Sequence, residues 1–137
     1  MNVLFLCTGN SCRSQMAEGW ARQFASPGTK IQSAGIEAHG KNPIAIKVMQ
    51  ESGLDISAQE STVLTGGMLE WADFVVTVCG NADQNCPVLP SGTRKEHWSL
   101  ADPAKAGGSD DEILDVFRSS RDDIRDRVIE LLERLKA

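Results

Sequence analysis

Val3-Leu4-Phe5-Leu6-Cys7-Thr8-Gly9-Asn10-Ser11-Cys12-Arg13-Ser14 is the stretch on which the reading of this chain turns. Four apolar residues run into a Gly-containing loop and a helix-like segment follows, which reads as strand, turn, helix. In that setting the loop N–H groups and the helix N-terminus converge on one spot and favour an anion there. Cys7 opens the loop and Arg13 closes it, so Thr8, Gly9, Asn10, Ser11 and Cys12 wrap that spot between a thiol and a guanidinium. The helix dipole and the Arg13 charge both favour thiolate over thiol, which predicts Cys7 as a nucleophile at neutral pH. The planar fork of Arg13 can hold two oxygens of a tetrahedral oxyanion, as a lysine could not. Ser14 can donate its hydroxyl to the thiolate or cap the helix, and Asn10 tolerates the left-handed backbone a tight loop needs. The alternative is a buried cysteine in an ordinary strand-to-helix turn, which leaves the Cys-X5-Arg-Ser arrangement after a strand unexplained.

Size and composition bound what surrounds this loop. A chain of 137 residues with 41% hydrophobic and 24% charged residues predicts one soluble domain over positions 1–137. A net charge of −5 argues against a nucleic-acid groove or an anionic membrane surface as partner. No basic segment precedes the first short apolar run, and no stretch approaches membrane-spanning length, so a cytoplasmic location is expected. There, four cysteines point to reactivity or metal binding rather than to structural crosslinks. Their spacings, Cys-X4-Cys and Cys-X6-Cys with no Cys-X2-Cys, suit zinc poorly, and no metal site is expected. Nothing demands a dimer, and a monomer is expected.

Outward from the loop, short apolar runs alternate with helical stretches, the pattern of a parallel α/β sheet. Helix is expected from Ser14 to Phe24, with Met16, Trp20 and Phe24 at helical spacing, and strand from Lys30 to Ala34. Asn42 then Pro43 reads as a cap followed by proline at the first helical position, with the helix stopping at Gly53. A short helix is expected near Met68-Leu69, after a break at Gly66-Gly67. Phe74 to Val78 reads as a buried strand that ends at Cys79. Residues 80–92, with Pro87, Pro90 and Gly92, read as an irregular loop. A short strand from Lys95 to Trp98 leads to Asp102-Pro103. A long amphipathic helix follows, with Ile113, Phe117, Ile124, Val128, Leu131, Leu132 and Leu135 on one face. Right-handed crossovers then place helices on both faces of a four-stranded sheet. Because ligands bind beyond the carboxyl ends of such strands, Cys7, Cys79 and Asp102 are predicted to converge on one edge.

These residues resemble the low-molecular-weight tyrosine phosphatase fold, and more fully the thioredoxin-coupled arsenate reductases built on it. The resemblance rests on Cys7 to Gly19, Ser33-Ala-Gly-Ile36, Val75-Val-Thr-Val-Cys79 with Cys86-Pro-Val-Leu-Pro90, and Glu96-His-Trp98 leading to Asp102-Pro103. It implies that Cys7 attacks arsenate while Arg13 and the loop N–H groups hold its oxygens. It implies that Asp102 protonates the departing oxygen and that Cys79 then attacks the Cys7–arsenic adduct, releasing arsenite. Cys86 would take over Cys79, leaving a Cys79–Cys86 disulfide for thioredoxin to reduce, with no resident cofactor. The chemistry is coherent: phosphate leaves a cysteine only by hydrolysis, whereas As(V) can accept two electrons through a second thiol. Were the segment between Cys79 and Cys86 helical, seven positions would separate them by roughly 10 Å of rise. A disulfide needs Cα atoms roughly 4.4–6.8 Å apart, so that segment must kink or loop out on oxidation.

The chain also departs from its relatives. Ala104 stands where the phosphatases usually carry an aromatic residue after Asp-Pro, and there is no Tyr at all, which argues against phosphotyrosine as substrate. Some of these reductases hold a structural potassium ion at positions matching Asn10, Glu18, Ser33 and a later Asp; here that later position is Thr62, and Gln59 replaces a preceding His. Two rival readings stand beside the reductase. One is a phosphatase in which Cys79 and Cys86 are incidental, and the other a non-catalytic oxyanion-binding or redox-sensing module. Cys12 is expected to pack under the helix start, and His39, His97 and the three tryptophans are assigned no catalytic role.

Overall fold

The structure is a computed structural model that describes residues 1–136. Four parallel strands form one sheet in the order β2-β1-β3-β4: β1 Asn2–Cys7, β2 Lys30–Gly35, β3 Phe74–Thr77 and β4 Arg94–His97. Five helices connect or flank them: α1 Arg13–Phe24, α2 Pro43–Glu51, α3 Gly66–Trp71, α4 Gly80–Gln84 and α5 Asp110–Lys136. The predicted α/β class and strand count match. Strand β1 lies in the middle, and Val3, Leu4, Phe5 and Leu6 are all fully buried. Successive strand residues point to opposite faces, so burial of all four means that both faces of the sheet are covered.

Register explains why the site forms where it does. Leu6 pairs with Ala34 on one side and Thr77 on the other, and Thr77 pairs with His97. The carboxyl ends of all four strands therefore sit level. The chain leaves β1 toward β2 and later returns to β1's other side as β3, so the topology switches between β1 and β3. Cys7 ends one of those strands and Cys79 follows the other, which places both at the crevice where such sheets bind ligands.

Local signals account for most boundaries. Asn42 accepts from the N–H groups of Ile44 (2.9 Å) and Ala45 (3.2 Å) ahead of Pro43, as its sequence position predicts. Thr65 caps α3 through Met68 N–H, so that helix begins at Gly66 rather than after the glycine pair. Helix α5 opens on a reciprocal pair: Glu112 N–H donates to Ser109 Oγ and Ser109 N–H to Glu112 Oε1, both at 3.2 Å. Its apolar side buries Phe117, Ile124, Val128, Leu131 and Leu132. Trp20 is buried and donates to Arg121 O of the same helix, and Trp98 is buried with its ring 5.7 Å from that of Phe5. Among the described residues no helix is long and apolar enough to cross a membrane.

The segment read as irregular over 80–92 is corrected in part. Residues 80–84 form α4, which starts at Cys79 and ends at Asn85, and only the Pro-containing remainder lacks regular structure. The helix is held by non-local bonds. Lys95 of β4 pairs with Asp83 at 2.5 Å, and Thr77 Oγ1 lies 3.3 Å from Asp83 Oδ1 and 2.7 Å from His97 Nδ1. His97, assigned no role, thus helps anchor α4.

At Gly35 backbone atoms leave no room for a side chain. A Cβ there would lie 2.2 Å from Glu37 O, 2.7 Å from Thr8 O and 2.8 Å from Asn10 N, all backbone atoms. Gly35→Ala is expected to destabilise the protein by about 3 kcal/mol, the upper end for overpacking, read as a lowered urea midpoint. A midpoint within error of the wild type contradicts that close approach.

Candidate active site

The loop after β1 is shaped so that its carbonyls turn away from the crevice. Cys7 O, Thr8 O and Gly9 O accept from the N–H groups of Ile36 (3.0 Å), Glu37 (2.8 Å) and His39 (2.9 Å). Asn10 O accepts from Gln15 Nε2 and Ser11 O from Asn42 N–H. With its oxygens engaged outside, the loop offers N–H groups inside, a concave anion site. Asn10 makes the turn at φ 48, the left-handed conformation expected of it. Its side chain is fully buried and saturated: Nδ2 donates to Ser14 Oγ (2.9 Å) and Ser33 Oγ (3.0 Å), and Oδ1 accepts from Thr62 N–H (2.8 Å) and Gln15 Nε2 (3.2 Å).

Asn10 and Ser14 are therefore the scaffold behind the loop and do not line the cavity, and Ser14 accepts from Asn10 instead of capping α1 or reaching Cys7. The cap position is Cys12, which makes no side-chain cap bond. Cys12 is buried, as expected, and burial pushes its thiol up to about 11.

The cavity encloses about 620 Å³ and is lined by Cys7, Thr8, Gly9, Ser11, Cys12, Arg13, Cys79 and Asp102, the residues expected there. It also includes His39, Gly80, Asn81, Ala104 and Lys105. Ala104 is the position singled out after Asp-Pro; His39, Gly80, Asn81 and Lys105 carry no local signal, because the folded sheet decides which neighbouring segments reach the cavity. Arg13 is buried; its Nη1 donates to Leu100 O (3.0 Å) and Val78 O (3.4 Å), and its Nη2 lies 3.6 Å from Asp102 Oδ2. Its Nε is buried with no partner. An unpaired buried guanidinium donor beside a loop whose carbonyls are engaged on its outer side suits a site completed by an anion. Asp102 also accepts from Ala104 N–H at 3.0 Å, so it both caps the turn Pro103–Lys105 and faces the cavity.

The two thiols are shifted in opposite directions. The neighbouring Cys79 sulfur and burial push the Cys7 thiol above its usual range, against the Arg13 charge and the Thr8 N–H. The Cys79 thiol is pushed down, first by the neighbouring Cys7, then by Thr8 Oγ1 (3.0 Å), Ala82 N–H (3.3 Å) and the Arg13 charge. Arg13 lowers the Cys7 thiol, as the sequence predicts, while the second sulfur beside it and the Asp102 carboxylate facing Arg13 are set by the fold and carry no local signal. Cys86 is half-buried outside the cavity, past α4, and burial raises its thiol.

The residues matching the family's potassium site do not fit a cation. Glu18 Oε1 accepts from Ser33 at 2.5 Å and Oε2 from Arg22 Nε at 2.8 Å, so a guanidinium already balances this carboxylate. Asn10 Oδ1 is filled by Thr62 N–H and Gln15 Nε2. Among the described residues no cluster of three or more His, Cys, Asp or Glu side chains is arranged to hold a metal.

The sequence profile described as Low molecular weight phosphotyrosine protein phosphatase matches residues 2–137. The chain belongs to that family. Within it, an arsenate reductase from Bacillus subtilis (strain 168) is 51% identical over 131 residues, spanning 96% of this chain and 94% of that protein. Two solved structures share the phosphatase-family fold. An arginine phosphatase from Geobacillus stearothermophilus superposes with a TM-score of 0.82 at 27% identity, over 98% of this chain and 92% of that one. A thioredoxin-dependent arsenate reductase from Corynebacterium glutamicum superposes with a TM-score of 0.79 at 25% identity, over 98% of this chain and 61% of that one. The family thus holds both phosphoryl hydrolysis and arsenate reduction on one loop, and the residues around that loop must separate them.

Proposed function

We propose that this chain is an arsenate reductase that cycles Cys7, Cys79 and Cys86 and is regenerated by thioredoxin. The observation that carries this reading is that Cys7 and Cys79, 72 positions apart in the chain, line the same anion cavity beside Arg13. A phosphatase has no use for a second sulfur in contact with its nucleophile, whereas a reductase requires one. The naming of half-identical relatives as arsenate reductases supports the same reading.

Hydrogen arsenate binds with its oxygens on the loop N–H groups and on Arg13. Cys7 Sγ attacks arsenic; the thiol proton and one arsenate hydroxyl leave together as water, with Asp102 passing the proton to the departing oxygen. The Cys79 thiolate then attacks Cys7 Sγ. The arsenic–sulfur bond breaks with its electron pair kept by arsenic, which leaves as arsenite after taking protons from water. Two thiols are oxidised to a Cys7–Cys79 disulfide while As(V) becomes As(III), a two-electron balance. Cys86 as thiolate attacks Cys79 Sγ, frees Cys7, and leaves Cys79–Cys86 for an external dithiol such as thioredoxin. Thioredoxin as reductant is supported by the dithiol this last step demands and by the Corynebacterium glutamicum neighbour. A cytoplasmic setting follows from the need for reduced thiols.

The last exchange requires α4 to give way, because it stands between Cys79 and Cys86. Amide exchange over residues 80–85 is expected to be protected in the reduced protein and fast in the Cys79–Cys86 form. Equal protection in both forms rules out this route. The deciding assay measures arsenite produced per chain with thioredoxin, thioredoxin reductase and NADPH against hydrolysis of an aryl phosphate. Arsenite formation that depends on thioredoxin supports the reading, and efficient aryl phosphate turnover without arsenite overturns it.

A further inference from the structure

We propose that Asn81 is a positioning residue that aims the Thr8 hydroxyl at Cys79 and thereby ties the reactivity of Cys79 to the folded state of α4. The proposal rests on the three-thiol reading above and deepens it. The hydrogen bonds fix each amide orientation in turn. Asn85 Nδ2 lies 2.8 Å from the backbone oxygen of Asn81, which can only accept, so that atom of Asn85 is the nitrogen. The same nitrogen lies 2.8 Å from Asn81 Oδ1, which fixes that end of the Asn81 amide as the acceptor. Asn81 Nδ2 is then the atom 3.1 Å from Thr8 Oγ1, and it donates to it. The hydroxyl keeps one proton to place, and Cys79 Sγ lies 3.0 Å away. That sulfur already receives the Ala82 N–H, so the hydroxyl is a second donor suited to a thiolate.

Most of this relay belongs to the segment that must move. Asn81 and Ala82 lie in α4, and Asn85 terminates it. While α4 is folded, Thr8 is oriented and Cys79 is the supported thiolate that attacks Cys7. When α4 unwinds to bring Cys86 close, Asn81 withdraws from Thr8 and the Ala82 bond is lost with it. Cys79 sheds that support at the stage where it is the sulfur under attack. The charged and titratable groups facing Cys79 are Cys7 at the end of β1 and Arg13 at the start of α1, and Asn81 touches neither. Asp83, one turn into α4, is tied away from Cys79 by Lys95 and by the Thr77–His97 pair.

The test is an ultraviolet titration of the Cys79 thiolate in the full chain carrying Cys7→Ala and Cys86→Ser. The remaining thiol, Cys12, titrates far higher. Adding Asn81→Ala is expected to raise the Cys79 titration by about one pH unit, a tenfold smaller thiolate fraction below the midpoint. In a Thr8→Val background the same Asn81→Ala change is expected to move nothing further, because its effect passes through that hydroxyl. An unmoved titration in Asn81→Ala, or an equal shift with Thr8→Val present, overturns the proposal. The titration uses no arsenate, so a wild-type chain that fails to make arsenite defeats the reductase reading without touching this result.

Discussion

Cys79→Ser is expected to reduce multiple-turnover arsenate reduction to background while leaving slow hydrolysis of an aryl phosphate in place. The reasoning is stoichiometric before it is structural. Reduction of As(V) to As(III) needs two electrons, and Cys7 alone supplies one half of a disulfide. A serine at position 79 can accept the hydrogen bonds that now reach the sulfur from Thr8 and Ala82, so folding and anion binding are preserved. It cannot form the sulfur–sulfur bond that releases arsenite. Hydrolysis needs only Cys7, the loop, Arg13 and a proton donor, all of which remain. The two activities therefore part company in this variant, and both vanish in Cys7→Ser. Each rival reading makes a different statement here. If Cys79 were incidental to a phosphatase, aryl phosphate turnover would be efficient in the wild type and indifferent to the substitution. A binding or sensing module would turn over neither compound. Retention of arsenite formation by Cys79→Ser would falsify the cascade outright.

How much of this was legible in the sequence follows from which forces are local. The β1–loop–α1 unit could be read because its signals are contiguous: four apolar residues, an asparagine that accepts φ 48, and an arginine one loop away from a cysteine. The Asn42-Pro43 start of α2 was legible for the same reason. Convergence of Cys7, Cys79 and Asp102 followed from the rule for parallel sheets, and all three line the cavity. Helix α4 escaped because five residues are too few to show a period, and its anchors, Lys95 and the Thr77–His97 pair, come from other strands. The apolar face of α5 from Ile113 was legible from its period, and Ser109 and Glu112 just before it carry the spacing of a reciprocal cap. The opposite shifts of the two thiols were illegible in principle. Cys7 and Cys79 are far apart in the chain, and the direction of each shift depends on where Thr8, Ala82 and Arg13 point once folded. The roles of Asn10 and Ser14 shifted for a similar reason: both are small polar loop residues, and only the positions of Ser33 and Thr62 decide that they face the scaffold.

Asp102→Asn is expected to slow formation of the Cys7–arsenic adduct by roughly 10²–10⁴-fold, the usual loss when a positioned proton donor is removed. The substitution is close to isosteric, and the geometry lets its effect be isolated. Asp102 accepts from Ala104 N–H through Oδ1, and an asparagine oxygen can keep that bond, so the turn at Pro103–Lys105 survives. What changes is the second oxygen, 3.6 Å from Arg13 Nη2. An amide nitrogen there neither passes a proton to the departing oxygen nor offsets the guanidinium charge. Freeing Arg13 from its carboxylate partner makes the cavity more positive, so arsenate and phosphate are expected to bind at least as tightly as in the wild type. The predicted signature is therefore split: kcat falls steeply while KM does not rise. Attack of Cys79 on the adduct does not use Asp102, so once adduct has formed its decay to arsenite is expected to proceed at the wild-type rate. Rapid-quench measurement of single-turnover adduct formation and arsenite release separates the two steps. An unchanged rate of adduct formation removes Asp102 from the chemistry and leaves it as the cap of a turn that happens to border the cavity.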